Sequence, residues 1–98
     1  MGEKEAVRTD ASPAAIGPYS QAIRTGNLLF TSGQIPLDPQ TMQLVSGDFR
    51  AQVEQVVTNI EAVAGAAGAT LCQLVKLNVY LTDLSRFGDR TFRYAICM

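Results

Sequence analysis

The chain of 98 residues contains no histidine. A Ser–His–Asp relay, a Cys–His pair and imidazole metal sites are therefore excluded within this chain. Neither a P-loop nor a GxGxxG motif occurs, so phosphate cradles of those kinds are absent too. Any chemistry must use hydroxyl, amide, carboxylate, guanidinium or backbone groups.

Charge and cysteine are also sparse. The formal net charge is −1 and no long run of either sign occurs, which argues against a nucleic-acid or membrane-surface binder, since both need a basic surface. Cys72 and Cys97 have neither metal-ligand spacing nor a CxxC pattern. Because no secretory leader and no bilayer-length apolar run are found, the sequence predicts reduced thiols in a cytoplasmic protein.

Apolar residues are plentiful by contrast. They make up 47% of the chain, which suffices for a globular core and is too much for disorder. A chain of this length forms one small domain, so residues 1–98 are treated as a single unit. Residues 1–12 are charged and small, and they are predicted to form a flexible arm.

Residues 28–36 have the character of a buried strand that ends in a polar turn. Apolar and β-branched residues precede Ser32, Gly33 leaves its backbone uncovered, and Pro36 cannot continue central pairing. The hydroxyl, the open backbone and the amide of Gln34 could form the mouth of a polar pocket. A strand that leads into an ordinary turn is the simpler interpretation of the same residues.

The segment before this stretch predicts a bend followed by a hairpin. Tyr19 comes just after a Gly-Pro turn signal, so it is either a buried tyrosine with a bonded hydroxyl or a ring that covers a ligand pocket. Strands are predicted at residues 20–24 and 27–32, joined at a Gly-Asn pair that accepts positive φ. A type I turn is predicted at residues 38–41, where aspartate precedes proline.

One helix is clear from its periodicity, and it is predicted to cover one face of a sheet. Ser46 or Asp48 would cap its start, and Gly65 or Gly68 would end it. Polar residues, Asn59 among them, are predicted to lie largely outside its apolar stripe. The stripe consists of Phe49, Val53, Val56, Val57, Ile60, Val63 and Ala64.

Strict alternation at residues 75–82 predicts a second clear strand. Its apolar face would pack under the helix. Its other face carries Tyr80 and is either exposed to water or in contact with another copy of the protein. A second helix could begin at residues 83–85, after which the chain ends with an open sheet edge.

Several segments together closely resemble the RidA (YjgF-like) family of reactive-intermediate imine deaminases. The most specific are Ala-Ala-Ile-Gly-Pro-Tyr-Ser-Gln-Ala at residues 14–22 and Thr-Ser-Gly-Gln-Ile-Pro at residues 31–36. The resemblance continues through Gln55, Asn59 and residues 66–68 to Val-Lys-Leu-Asn-Val-Tyr-Leu-Thr-Asp-Leu at residues 75–84. The family-like part spans residues 13–87.

The resemblance implies a chorismate-mutase-like α+β fold, a mixed sheet with helices on one face, here with the C-terminal strands missing. It implies a homotrimer with ligand clefts between subunits. It also implies hydrolysis of enamine and imine intermediates, notably 2-iminobutanoate and 2-iminopropanoate, to 2-oxo acids and ammonia. No cofactor, metal or membrane is expected to take part.

The same resemblance assigns the site residue by residue. Tyr19 and Ser32 match the catalytic cleft tyrosine and serine, while Thr91 stands where the family has a cleft asparagine. The family's carboxylate-binding arginine and water-orienting glutamate fall beyond Met98. The predicted substrate-binding residues are Gly33, Gln34, Ile35, Thr91 and Tyr94.

Residues 88–98 depart from the family pattern, and a truncated or frame-shifted member is predicted, with impaired activity. Arg24, Arg86, Arg90 and Arg93 are predicted to be surface residues rather than substitutes for the missing arginine. Two other functions remain open. One is an RNA-acting translation inhibitor, and the other is a trimer that binds ligands without turnover.

Overall fold

The structure is a computed structural model that describes residues 3–81. Its elements are β1 (Lys4–Val7), β2 (Ala22–Thr25), β3 (Leu28–Thr31), α1 (Phe49–Ala66) and a short 3₁₀ helix at Leu71–Gln73. The strands form one antiparallel sheet in the order β1-β2-β3, and α1 packs on one face of it. The predicted α+β class with a helix on one face is confirmed. Pairing among the described strands is antiparallel throughout, so the mixed character expected of the sheet is not seen in this part.

β1 lies in the segment predicted to be a flexible arm, and that prediction is wrong for Lys4–Val7. The strand pairs with β2 in a register that sets Lys4 opposite Thr25 and Val7 opposite Ala22. Only Val7 of the four residues is buried, at 8% exposure. Three small or charged residues and one valine are a weak local signal, and the strand exists because it is paired.

The predicted hairpin is present as β2 and β3, with Thr25 opposite Leu28 and a two-residue connection. Gly26 has φ +59, whereas Asn27 does not adopt positive φ. The left-handed residue therefore comes first in the turn, as in type II′, and only the glycine is required for it.

At each end of α1, one of the two residues predicted from the sequence as a cap or a stop takes that role. Asp48 caps the start, because its carboxylate accepts from the backbone N–H of Ala51 at 2.9 Å. At the other end Gly68 adopts φ +79, and the N–H of Ala69 reaches the carbonyl of Ala64 at 2.8 Å. This is a Schellman termination with Gly68 as its left-handed residue, so Gly65 belongs to the helix.

The buried core lies between α1 and the inner face of the sheet. Val7 and Ala22 pack with Val63 and Ala67, and Leu29 joins them partly buried. The alternate residues of β3 face away from the helix, and Leu28 and Phe30 remain 51% and 60% exposed. The strand predicted at this position is present, but its burial is not: Leu28 and Phe30 are exposed and Leu29 is only partly buried.

Residues 75–81 form neither helix nor strand and pair with no described strand, so the predicted strand is not formed in this part of the chain. Two of its apolar residues are not buried under the helix either, since Val75 is 91% and Leu77 42% exposed, and Val79 and Leu81 are only partly buried. Alternation indicates which side chains could share a face, but a strand also needs a neighbour whose backbone groups it can bond.

Two further expectations concern local chemistry. The turn at residues 38–41 is present, with the Asp38 carboxylate accepting from the backbone N–H of Gln40 and of Thr41. Cys72 is disulfide-bonded, so the reduced thiol predicted there is wrong. Cys97 lies outside the described residues. The cytoplasmic location stays a prediction, without the support that a reduced Cys72 would have given it.

Candidate functional site

Ser32 lies directly after β3 and is held by the segment that leads into β2. Its backbone N–H donates to the carbonyl of Gln21 at 3.0 Å, and its hydroxyl donates to the carbonyl of Ser20 at 2.5 Å. The single hydroxyl hydrogen is therefore in use. The oxygen keeps lone pairs that can accept a hydrogen bond from a water or a ligand.

Tyr19 folds back over its own turn. Its hydroxyl accepts from the backbone N–H of Ile16 at 3.2 Å, and a side chain added at Gly17 would meet the ring at 3.8 Å. Gly17 itself has φ +113, a conformation that favours glycine. The ring is 51% exposed, so the interpretation of Tyr19 as a buried tyrosine is wrong within the single chain.

A hydrogen bond links one predicted catalytic residue to the sequence neighbour of the other. Ser32 donates to the carbonyl of Ser20, the residue that follows Tyr19, so the end of β3 contacts the segment that leads out of the tyrosine turn. The hydrogen-bonding polarities of Ser32 and Tyr19 are complementary. The phenol accepts from Ile16 and keeps its own hydrogen to donate, whereas the Ser32 oxygen can accept.

The predicted wall of the site continues from Ser32 along Gly33, Gln34 and Ile35. A Cβ at Gly33 would meet nothing within 4 Å, and this glycine is outside the left-handed region, so contacts within the described chain do not require it. Ile35 is 58% exposed. The other two predicted substrate-binding residues, Thr91 and Tyr94, lie outside the described residues.

Sequence reasoning missed the structural role of Gln21, which is 4% exposed. Its side-chain oxygen accepts from the N–H of Thr9 at 2.7 Å. Its side-chain nitrogen donates to the carbonyls of Thr9, Ser12 and Pro13 at 3.0, 3.2 and 2.8 Å. Gln21 thus fastens residues 9–13 to the start of β2, beside the carbonyls that hold Ser32.

Asn59 was also missed, because it was assigned to the polar side of α1. It is fully buried, and its side-chain nitrogen donates to the carbonyl of Leu37 at 2.9 Å and of Ile35 at 3.4 Å. Its oxygen accepts from the side chain of Gln55 at 2.8 Å. An amide at a helix position next to apolar neighbours is the signal that could have indicated burial against backbone.

The remaining polar features of the described chain lie away from Ser32. A shallow depression of about 450 Å³ is lined by residues of β1 and the hairpin, and none of the predicted site residues takes part. Arg24 donates to the carbonyl of Ala67, where a cation complements the C-terminal end of α1. Within residues 3–81 no group of side chains could hold a metal ion, and no helix has the length and hydropathy to cross a membrane.

Comparison with known proteins gives the family. The family model described as Endoribonuclease L-PSP matches residues 9–95, and the match continues past Phe87, where divergence was predicted. The chain therefore belongs to the Endoribonuclease L-PSP family, the family of RidA-type proteins. The truncated or frame-shifted end stays a prediction about residues outside those described.

Individual relatives agree with this assignment. A RutC family protein of Pyrococcus abyssi is 50% identical over 92 residues, which are 94% of this chain and 72% of the relative. The crystal structure of RidA from an Antarctic Psychrobacter is 48% identical with a TM-score of 0.82, covering 93% of this chain and 72% of that one. A protein of Dermatophagoides farinae named 2-iminobutanoate/2-iminopropanoate deaminase is 38% identical over 89% of this chain and 68% of its own length.

Proposed function

We propose that this protein hydrolyses reactive enamine and imine intermediates, such as 2-iminobutanoate and 2-iminopropanoate, to 2-oxo acids and ammonia. The observation that supports the proposal is the bond from the Ser32 hydroxyl to the carbonyl of Ser20, which fixes Ser32 against the residue that follows Tyr19. Membership of the family and the relative named as a deaminase of these two compounds support the substrate class.

The reaction makes modest chemical demands. Water adds to the carbon of the C=N bond, the nitrogen gains hydrogen, and the C–N bond then breaks to release ammonia and leave a carbonyl. The water oxygen becomes the carbonyl oxygen, so the reaction needs no oxidant or reductant. Positioning and fixed hydrogen-bond partners can supply this catalysis.

Ser32 and Tyr19 are suited to opposite parts of that step. Because the Ser32 hydrogen is engaged by Ser20, the serine oxygen would accept a hydrogen from the attacking water and hold it against the C=N carbon. Tyr19 would donate its phenolic hydrogen to the imine nitrogen. That hydrogen is available because the phenolic oxygen is the acceptor in its bond with the backbone N–H of Ile16. Gly33, Gln34 and Ile35 would form the adjoining wall, with Thr91 and Tyr94 also contacting the substrate.

The test follows the decay of 2-iminobutanoate that threonine dehydratase generates, with the purified chain added. We expect acceleration over buffer, and a loss of about 10- to 100-fold in kcat/KM for Ser32→Ala and for Tyr19→Phe. Ser46→Ala, an exposed serine outside the site, is the matched control and should keep full activity. No acceleration by the unaltered chain would contradict the deaminase and favour a protein that binds without turnover.

The description of the family as an endoribonuclease supports a second candidate, an RNA-acting inhibitor of translation. A net charge of −1 weighs against it, because RNA binding depends on phosphate contacts from basic residues. Incubation with single-stranded RNA decides the matter. Ribonuclease activity that is lost in Ser32→Ala would assign this site to RNA, and activity that survives the change would not.

We further propose that the chain assembles as a homotrimer through the outer face of its sheet. Ala6, Ile23 and Phe30 stand opposite one another across the three strands, on the side away from α1. Leu28 shares that face, and both it and Phe30 leave more than half of their surface exposed. Lys4 lies at the edge of this face, and its other residues are uncharged. A largely apolar face of this kind fits a second copy of the same chain, and a small domain gains stability by burying it.

Light scattering of the purified protein tests the assembly. We expect the mass of a trimer for the unaltered chain and the mass of a monomer for Phe30→Glu, which places a charge on the outer face. Thr58→Glu, an equivalent change at an exposed position of α1, should leave the trimer intact. A monomer for the unaltered chain would contradict the proposal and would remove any cleft between subunits.

A further inference from the structure

Two amide side chains of α1 connect the helix to the wall of the candidate site. Gln55 donates to the oxygen of Asn59, one helical turn further along, at 2.8 Å. Asn59 then donates to the carbonyls of Leu37 and Ile35 at 2.9 and 3.4 Å. Asn59 is fully buried, so this contact is part of the interior of the molecule.

The direction of the Asn59 amide is fixed by its partners. A primary amide has two hydrogens and one acceptor oxygen, and all of them are used here. Gln55 provides a donor for the oxygen, so the nitrogen faces the two carbonyls. Reversing the amide would set its oxygen against carbonyl oxygens and leave Gln55 facing a donor.

The wall between Ser32 and Leu37 is held at its two ends. At one end Ser32 bonds the carbonyls of Ser20 and Gln21, and at the other Asn59 bonds those of Ile35 and Leu37. Between these anchors the carbonyl of Pro36 accepts from the backbone N–H of Val45 at 2.9 Å. Gly33 and Gln34 make no hydrogen bond to any other part of the described chain, so their position depends on these contacts, and Asn59 provides two of them through its side chain.

We propose that Asn59 is a positioning residue for this site. It acts through the carbonyls of Ile35 and Leu37 to hold the wall that adjoins Ser32, and it does not touch the substrate. The effect on turnover rests on the proposed deaminase function, whereas the effect on the wall itself does not.

The sharpest variant is Asn59→Asp, which keeps the shape of the side chain and replaces its NH₂ group with oxygen. When ionised, this carboxyl repels both carbonyls and breaks the anchor; when protonated, it can donate to one of them. Burial should raise its pKa, so the protonated form should be populated in mildly acidic solution. We expect kcat/KM relative to the unaltered protein to be about 10-fold lower at about pH 8 and to recover largely at about pH 5.5, mainly through kcat.

Gln52→Glu is the matched control, because it makes the same amide-to-acid change at an exposed position of α1. Its activity relative to the unaltered protein should not vary with pH. A second readout needs no activity: it is the hydrogen exchange of the backbone N–H groups of Leu37 and Val45, which donate to the carbonyls of Ile35 and Pro36 in the wall. In Asn59→Asp at about pH 8 we expect exchange there about 10-fold faster than in the unaltered protein, with β2 unchanged.

The outcomes separate the two proposals. If the unaltered protein shows no deaminase activity, the proposed function fails, and hydrogen exchange alone decides the role of Asn59. A pH-independent activity ratio in an active protein, or unchanged exchange at Leu37 and Val45, overturns the inference. If Asn59→Asp does not fold, Gln55→Leu, which buries no charge, takes its place. Faster exchange at the wall in that variant supports the inference, and unchanged exchange overturns it.

Discussion

On the helix side of the sheet, Val7 and Ala22 are buried against Val63 and Ala67, whereas on the opposite side Leu28 and Phe30 expose 51% and 60% of their surface. An antiparallel sheet that has one face exposed to solvent usually alternates apolar and polar residues along each strand. Here both faces carry apolar side chains, and α1 covers only one of them. The difference indicates that this sheet has the composition of an interior layer, of which the described residues cover only one face.

The largest effect should come from the covered face. Val63→Ala removes buried volume from between α1 and the sheet, and we expect the free energy of unfolding to fall by about 2 kcal/mol, measured by urea denaturation. Val75→Ala, the same chemical change at a residue that is 91% exposed, should alter it by less than about 0.5 kcal/mol. Equal losses for the two variants would contradict the contrast between covered and uncovered valines.

The next largest effect on the free energy of unfolding should come from the C-terminal end of α1. Gly68→Ala forces a side chain into φ +79 and should cost about 1 kcal/mol in thermal or urea unfolding. Gly65→Ala should stabilise by up to about 1 kcal/mol, because that residue is helical and an added Cβ would meet nothing within 4 Å. The same sign for both variants would be inconsistent with the Schellman ending.

Arg24 tests the bond between the sheet and the end of the helix. Arg24→Met removes the donor to the carbonyl of Ala67 but keeps much of the apolar stem. We expect a loss of about 0.3–1 kcal/mol in low salt, which shrinks as salt is added. A loss that does not respond to salt would mean that packing, rather than charge at the helix end, is the contribution of this residue.

The smallest effect on the single chain should come from the uncovered face. Leu28→Thr keeps a strand-forming residue and, in protein dilute enough to be monomeric by light scattering, should change the free energy of unfolding by less than about 0.5 kcal/mol. At concentrations where subunits associate, the same change should lower the apparent stability, because association stabilises the folded state. A loss in the monomer that matches Val63→Ala would show that Leu28 is covered within one chain.

Local chemistry made much of the fold predictable. The apolar stripe and Asp48 indicated α1, Gly68 was one of two candidates for its end, and residues 38–41 had the composition of the turn they form. These features depend on residues a few positions apart, so a short window of sequence contains their cause.

What could not be predicted depends on distant partners. β1 has little strand character and exists because β2, about 18 residues away, pairs with it. Gln21 and Asn59 look like surface amides, yet each is buried because backbone groups 8 to 24 residues distant along the chain meet it. The alternation at residues 75–81 indicated a strand, and no described strand provides the pairing. For the site, only the resemblance predicted roles for Ser32 and Tyr19, because nothing in the local sequence links the two.

Gln21 has a consequence for how the chain leaves the sheet. Its side chain bonds both the N–H and the carbonyl of Thr9, which is what a peptide group of an adjacent strand would do. The Gln21 amide therefore replaces one hydrogen-bonded strand pair beyond the last pair of the β1–β2 ladder. The main chain can turn away there because the backbone N–H and carbonyl of Thr9 still have hydrogen-bond partners. Glutamate lacks the donor and asparagine is one methylene too short, so of the common side chains only glutamine has both the groups and the reach to let the polypeptide change direction here.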